Sequence, residues 1–349
     1  MLEEITMNAK NGVGKLLFGM LCLVFFPGCL EHTITTTVRS DGSCVRTIEV
    51  ASDKDSVTKF SFPLRRDGSW KIEKRKEEPQ GKKAAKFITT AVKEFNSIDA
   101  LAKEYVVVDS TDKVLVRVSG ERRFRWFYTY TRYAETYDVF FPYVRIPLAP
   151  YMSDDEVRRY QNGENNDTLK SKADAWYDRC QFEFVFTLLA VEVKLLRDPV
   201  LTPEYFESQK GNIARLFGNK EEQKKIKTAA DAAVMLEQLL HTGAAWKLTN
   251  AIDRAMQLMM EKEERGAAVG DSYTNAVQMP GLILESNAPE IVGVRATWHT
   301  DFERLRLRPF EMNVESRVVN VWAYIITGIV VLLLISVIVW IGVRRFRLR

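Results

Sequence analysis

Period-two alternation dominates the first third of the chain. Residues 33–39 are rich in threonine, isoleucine and valine, and 40–43 read Ser-Asp-Gly-Ser. Residues 45–51 then set Val45, Thr47 and Glu49 against Arg46, Ile48 and Val50. That pattern predicts a hairpin. Further strands are predicted at 59–62, 70–74, 86–92, 106–109 and 114–119, with an exposed loop over 77–83 around Pro79 and Gly81.

The period lengthens after residue 150. Ser153 before Asp154, Asp155 and Glu156 supplies a cap and an acidic first turn, which predict a helix over 154–160. These carboxylates are neighbours on one helix and do not face each other across a substrate, as a glycosidase pair must. After a polar loop at 163–168, helical spacing runs over 174–196 through Phe182, Val185, Phe186, Leu189, Val193 and Leu196. Phe184, Leu188, Val191 and Leu195 fill the opposite side, so this helix is expected to be central and buried. Thr202-Pro203-Glu204 opens another helix with proline at its first position, and 228–240 and 246–262 are two more. Met256, Met259 and Met260 give the last an adaptable apolar face, read as core packing. Strand patterns return at 273–279, 282–285, 292–298 and 310–314. The expected fold is α+β: an antiparallel sheet from the N- and C-terminal thirds, with a helical block inserted over about 150–270.

Residues 321–343 contain no charge. As a helix rising roughly 1.5 Å per residue they span about 35 Å, enough for a hydrocarbon core of about 30 Å. Trp322, Tyr324 and Trp340 lie near the ends, where amphipathic rings favour the interface. Arg344, Arg345, Arg347 and Arg349 follow, so the positive-inside rule assigns the tail to the cytoplasm. At the other end Lys10 and Lys15 precede an apolar run at 16–26 and then Pro27, Gly28 and Cys29, the layout of a secretory signal. The acidic Glu3 and Glu4 make Met7 an alternative start to Met1. The expected organisation is a signal over 1–28, an extracytoplasmic domain over 29–317, a transmembrane helix over 318–343 and a basic tail over 344–349.

Charge narrows the partners. The net charge of +4 equals the four tail arginines, and Lys10 and Lys15 cancel Glu3 and Glu4, so the extracytoplasmic part is neutral. Nucleic-acid binding, which needs a basic footprint, is disfavoured. The chain has no Gly-x-Ser-x-Gly, His-Glu-x-x-His or Cys-x-x-Cys, and no EF-hand loop. Gly12-Val13-Gly14-Lys15 lacks the strand and the hydroxyl residue of a phosphate loop. No catalytic residue, metal site or cofactor is assigned. With 4 cysteines there is no disulfide framework. Cys44 and Cys180 form a bridge or remain two buried thiols.

The most unusual segment is 122–143. Read as one long strand, it puts Phe124, Trp126, Tyr128 and Tyr130 on one face and Arg123, Arg125, Phe127, Thr129 and Thr131 on the other. The aromatic row is favoured as a packed face, with Arg123 and Arg125 solvated. Arginine beside aromatics also makes the same residues a candidate binding or membrane-contact face.

Two resemblances add to this reading. Phe26-Pro27-Gly28-Cys29 resembles a bacterial lipoprotein signal, which implies a diacylglyceryl group on Cys29. An ordinary signal peptide and an uncleaved anchor are the alternatives. Pro280-Gly281, Ile283, Asn287-Ala288, Gly293 and Trp298, ahead of a C-terminal helix, resemble bacterial lipoprotein domains of the LppM type. That resemblance implies an envelope-anchored α+β domain and brings no catalytic residue. The expected protein is a single-pass lipoprotein of the bacterial cytoplasmic membrane. Its expected role is non-enzymatic binding or assembly, with membrane lipid, envelope glycans or other envelope proteins as partners. An envelope hydrolase or transferase with an unrecognised active site, or a sensor acting through its membrane helix, are the alternatives.

Overall fold

The computed structural model describes residues 30–52, 69–77, 86–105, 114–139, 141–266 and 271–347. The signal segment, Cys29 and the strands predicted at 59–62 and 106–109 lie outside the described residues.

The fold is α+β, as expected, but it holds two sheets where one was predicted. The first third supplies β1 (Glu31–Val38), β2 (Cys44–Ser52), β3 (Lys71–Glu77) and β4 (Lys86–Phe95), then α1 (Ile98–Glu104), β5 (Val114–Phe124) and β6 (Tyr128–Val139). The helical block contains α2 (Asp154–Gln161), α3 (Asp167–Leu196), α4 (Pro203–Ser208), α5 (Lys210–Gly218) and α6 (Lys220–Gln223). It closes with α7 (Ala229–Leu240), a 3₁₀ turn at Ala245–Leu248 and α8 (Thr249–Gly266). The last third returns β7 (Ser272–Gln278), β8 (Leu282–Ser286), β9 (Glu290–Val292), β10 (Arg295–Asp301), α9 (Phe302–Leu305), β11 (Phe310–Val319) and α10 (Val321–Arg347).

One sheet runs β3-β4-β2-β1-β7-β10-β9 and the other β5-β6-β11-β8. Each therefore draws strands from both ends of the chain. The β1–β7 pairing, Glu31 opposite Ser272, is parallel, against the antiparallel expectation. A parallel neighbour needs a long crossover, and everything between β2 and α8 supplies it. The sheets face each other across a core containing Ile34, Ile48, Val116, Tyr133, Trp298 and Met312. The alternation in β1 and β2 is the cause, because every second residue points at the opposing sheet.

α1 was not predicted. Ser97 caps it by accepting from the Ala100 N–H at 3.1 Å, and Ile98 and Leu101 are buried. Gly120 permits its close approach, since a Cβ there would meet the Ile98 side chain at 2.6 Å. In the helical block, Ser153 and Glu156 form a reciprocal capping box and Thr202 caps α4 ahead of Pro203, both as expected. α3 begins earlier than predicted because Asn166 caps it from within the polar loop, accepting from Thr168 and Leu169. One cluster around Phe186, Leu236 and Leu248 fills the block, and another around Tyr143, Trp176 and Leu307 ties it to the sheets.

Residues 280–298 lie where the chain leaves one sheet for the other and returns. The Asn287 side chain accepts from Trp298 Nε1 at 3.1 Å and from the Asn313 N–H at 2.8 Å, and donates to the Glu311 carbonyl at 2.7 Å. Asn287 thus links Trp298 of one sheet to β11 of the other.

Candidate functional site

The segment 122–143 folds as a hairpin rather than one strand. β5 ends at Phe124, β6 begins at Tyr128, and the Arg125 N–H donates to the Tyr128 carbonyl at 2.8 Å across the turn. The facing of β6 is also the reverse of the expectation. Thr129, Thr131, Tyr133, Glu135 and Tyr137 are buried, while Tyr128 and Tyr130 lie on the outer face with Arg123 and Arg317. Tyr133, Glu135 and Tyr137 turn inward to the Arg46 guanidinium of the opposing sheet, and that parity carries Thr129 and Thr131 inward with them. Phe124 and Trp126 are 57% and 48% exposed at the hairpin tip, so the packed-face expectation fails for both.

The tip rests on the start of α10. Asn320, just before that helix, donates through its side-chain amide to the Arg125 and Trp126 carbonyls at 2.8 and 3.2 Å. Its backbone N–H reaches the Phe127 carbonyl at 2.9 Å, and its Oδ1 accepts from Thr129 at 3.0 Å. Phe124 stacks on Trp322 at 6.2 Å, and Trp126 meets Trp322 edge-on at 5.2 Å. Phe127 packs on Tyr324 at 4.6 Å, and the Tyr324 hydroxyl donates to that of Tyr128 at 3.0 Å. Trp126 Nε1 donates to Thr327 Oγ1 at 2.9 Å. Thr327 is six residues into the helix, roughly 9 Å along its axis. The arginines stay on the flanks: Arg123 reaches Glu121 and Glu315 at 3.6 and 3.4 Å, and the Arg317 guanidinium covers the Tyr128 ring at 5.0 Å. Arg125 is exposed in the turn.

Val321–Arg344, whose most apolar 18-residue stretch has a mean hydropathy of 2.9, is the one candidate membrane-spanning helix among the described residues. Its apolar side chains from Ile329 onward are exposed along the helix. A surface of that kind is stable in hydrocarbon and unfavourable in water.

The two ends of the body are separated. The turn between β1 and β2 lies near the tip, with the Arg122 side chain beside Gly42. β1 runs away from it for eight residues, roughly 25 Å at about 3.3 Å per residue. Leu30, next to Cys29, is held at the far end by a bond from its N–H to Asp271 at 3.1 Å.

Cys44 and Cys180 are free, and each is buried in a different core cluster. Burial pushes the Cys44 thiol up to about 11 and raises that of Cys180. Both therefore stay protonated at neutral pH, as inert packing groups.

Between the sheets lies a polar cluster that composition alone did not reveal. Arg46 on β2 makes a two-pronged contact with Glu135 on β6, at 2.5 and 2.8 Å. Thr36 and Tyr133 accept from the same guanidinium, and Tyr137 donates to Asn275 at 2.6 Å. Burial opposes the Arg46 charge, yet the Glu135 carboxylate and the surrounding phenols outweigh it and hold the guanidinium charged. Burial, reinforced by Glu135, raises the Tyr133 and Tyr137 phenols well above their usual range. Among the described residues no group of three histidine, cysteine or carboxylate side chains could hold a metal.

The fold and the junction define an α+β body carried on one candidate membrane-spanning helix. No family model and no curated protein matches the chain. Among solved structures, it is similar to the folded domain of the LppM protein of Mycobacterium tuberculosis, at 7% identity, over 85% of this chain and 94% of that one. The TM-score is 0.27, so the likeness is weak and no residue role is taken from it.

Proposed function

We propose that this is a membrane-anchored, non-enzymatic binding protein of the bacterial envelope, with its α+β body outside the cytoplasm and held close against the bilayer. The hydrogen bond from Trp126 to Thr327 carries this reading, because it ties the hairpin tip to the helix about two turns beyond its start. A tip at that depth lies in the interfacial zone. Indole and phenol rings are favoured there, with an apolar body in the acyl boundary and a polar edge toward the headgroups. Arg123, Arg125 and Arg317 around the tip suit lipid phosphates. The arginine-rich end of α10 supports a cytoplasmic C-terminus. A diacylglyceryl group on Cys29 would be a second anchor. With Leu30 roughly 25 Å along β1 from the tip, it reaches the same bilayer only if the body lies on its side.

The test uses the full chain in lipid vesicles. A spin label at Arg125→Cys should be more accessible to oxygen than to a water-soluble nickel complex, while a label at Lys76→Cys shows the reverse. A water-exposed Arg125 label would sink the reading. External protease should remove an epitope inserted after Lys76 and spare one placed after Arg349. Cleavage of the C-terminal epitope would overturn the orientation.

A further inference from the structure

The face of α3 changes character along its length. Asp174 and Asp178 give way to Phe182, Val185, Phe186 and Leu189, at spacings that keep them on one side of the helix. Over the apolar part lies a cavity of about 470 Å³, closed by Ile213 and Phe217 of α5, and by Ile252 and Met256 of α8. Phe182, Val185, Phe217 and Met256 are only partly buried although they pack on the block's core, because their inner faces border this space. Methionine walls adapt to flexible apolar chains.

Asp178 and Gln223 line this cavity and also a second, open and polar one, completed by Asp174, Tyr177 and Lys224. The two compartments therefore adjoin at Asp178 and Gln223. From Asp174 to Leu189 the helix rises roughly 22 Å. The volume of the apolar part falls within the range of about 300–1,000 Å³ typical of ligand pockets. The polar part offers both signs: carboxylates at Asp174 and Asp178, and the Lys224 ammonium, which also meets Glu221 at 2.6 Å. Beside the apolar mouth Glu183 pairs with both Arg179 and Lys210, at 2.7 and 2.9 Å, and Lys210 also meets Glu207 at 3.8 Å, so these charges are already matched within the protein.

We propose that the helical block binds a single-chain zwitterionic lipid, a lysophospholipid with an ammonium-bearing head. The acyl chain fills the apolar cavity, the ammonium faces Asp174 and Asp178, and the phosphate faces Lys224. A fatty acid would bring its carboxylate against the two aspartates, and a two-chain lipid exceeds one tail compartment. The inference rests on the reading of a membrane-bound body, since the bilayer is the source of such lipids.

The test is photolabelling of the full chain in nanodiscs with diazirine-tailed lysophosphatidylethanolamine, cross-links being located by peptide mass spectrometry. Labelling of 321–343 reports contact with the bilayer and serves as the internal standard. Adducts are expected at 182–189 and 252–259. They should fall at least tenfold in Ala255→Trp, which fills the cavity, and in Met256→Trp, which narrows it from a half-buried position, with the 321–343 adducts unchanged. Labelling of 321–343 alone, or block adducts that persist in both variants, would overturn the site. Equal block labelling by a diazirine fatty acid would overturn the head assignment. Loss of labelling at 321–343 itself would instead count against the membrane reading.

Discussion

Arg46 and Glu135 are 89 positions apart in sequence, yet their side chains lie flat against each other at 2.5 Å in the centre of the protein. Arg46 belongs to the seven-stranded sheet and Glu135 to the four-stranded one, so the pair spans the interface between them. Both side chains are buried, at 0% and 1% exposure. Water cannot compensate either charge if its partner is removed.

Glu135→Gln should therefore cost about 3–5 kcal/mol, the usual penalty for stranding one member of a buried pair. The double change Arg46→Met with Glu135→Leu should recover most of that loss, because it removes both desolvation costs together. Thermal unfolding of the full chain in detergent, followed by tryptophan fluorescence, measures both. A single variant that melts within a degree of the parent would show that the pair does not hold the sheets together.

Gly281 carries a different constraint. Its φ is +74°, and a Cβ there would lie 2.2 Å from the Arg317 carbonyl oxygen on β11. The left-handed backbone alone costs a non-glycine residue about 1–2 kcal/mol, and the clash falls on backbone that cannot swing aside. Gly281→Ala should lower stability by about 2 kcal/mol or more and loosen β8 from β11. Faster hydrogen exchange over 282–286 than over β7 would report that loosening. Gly293→Ala is the control. It shares a positive φ, +61°, but has nothing near its Cβ, so its loss should stay near the backbone cost.

Legibility in the sequence follows the range of the interaction that decides each feature. The caps at Ser153 and Thr202 and the β1–β2 hairpin depend on neighbours within a few residues, and all were readable. α1 carries the same kind of signal, with Ser97 as cap and Ile98, Leu101 and Tyr105 at helical spacing, but it is a short helix between stronger strand patterns. The long uncharged run ending in arginines announced α10, because the length and apolar composition that make it a candidate membrane-spanning helix are read directly from the residues. The facing of β6 was not legible. Threonine and tyrosine alternate there with similar amphipathic character, so the choice of buried face rests on Arg46, which comes from another sheet. The turn at 125–127 was hidden for a related reason. It contains no glycine, proline or asparagine, and Asn320, nearly two hundred residues later, supplies its hydrogen bonds. The parallel β1–β7 pairing likewise has no local mark.

Asp198 predicts how the helical block responds to acid. It follows Arg197, which ends α3 at φ 49°. One of its oxygens accepts from the Val200 and Leu201 N–H groups at 2.9 and 3.0 Å, and the other meets Lys247 at 2.7 Å. The Lys247 hydrogen bond, then the two backbone N–H groups, hold the carboxyl down at about 2 against an ordinary value of 3.8. A depressed folded-state value means that the unfolded chain binds the proton first as pH falls. The stabilisation is thus complete above the unfolded value and is lost as pH drops through about 2. Asp198→Asn should lower stability at neutral pH and flatten the decline between pH 4 and pH 2. Glu156, also held at about 2 by Lys172 and the Ser153 N–H, contributes to the same decline. It remains in both proteins, so the difference between their melting curves isolates Asp198. Parallel curves across that window would mean that the Asp198–Lys247 contact does not persist in solution. Lys247→Met should give an intermediate result: part of the neutral-pH stability is lost, and the remaining acid step moves up toward the ordinary carboxyl range without reaching it, because the backbone N–H groups still favour the carboxylate when the ammonium is gone.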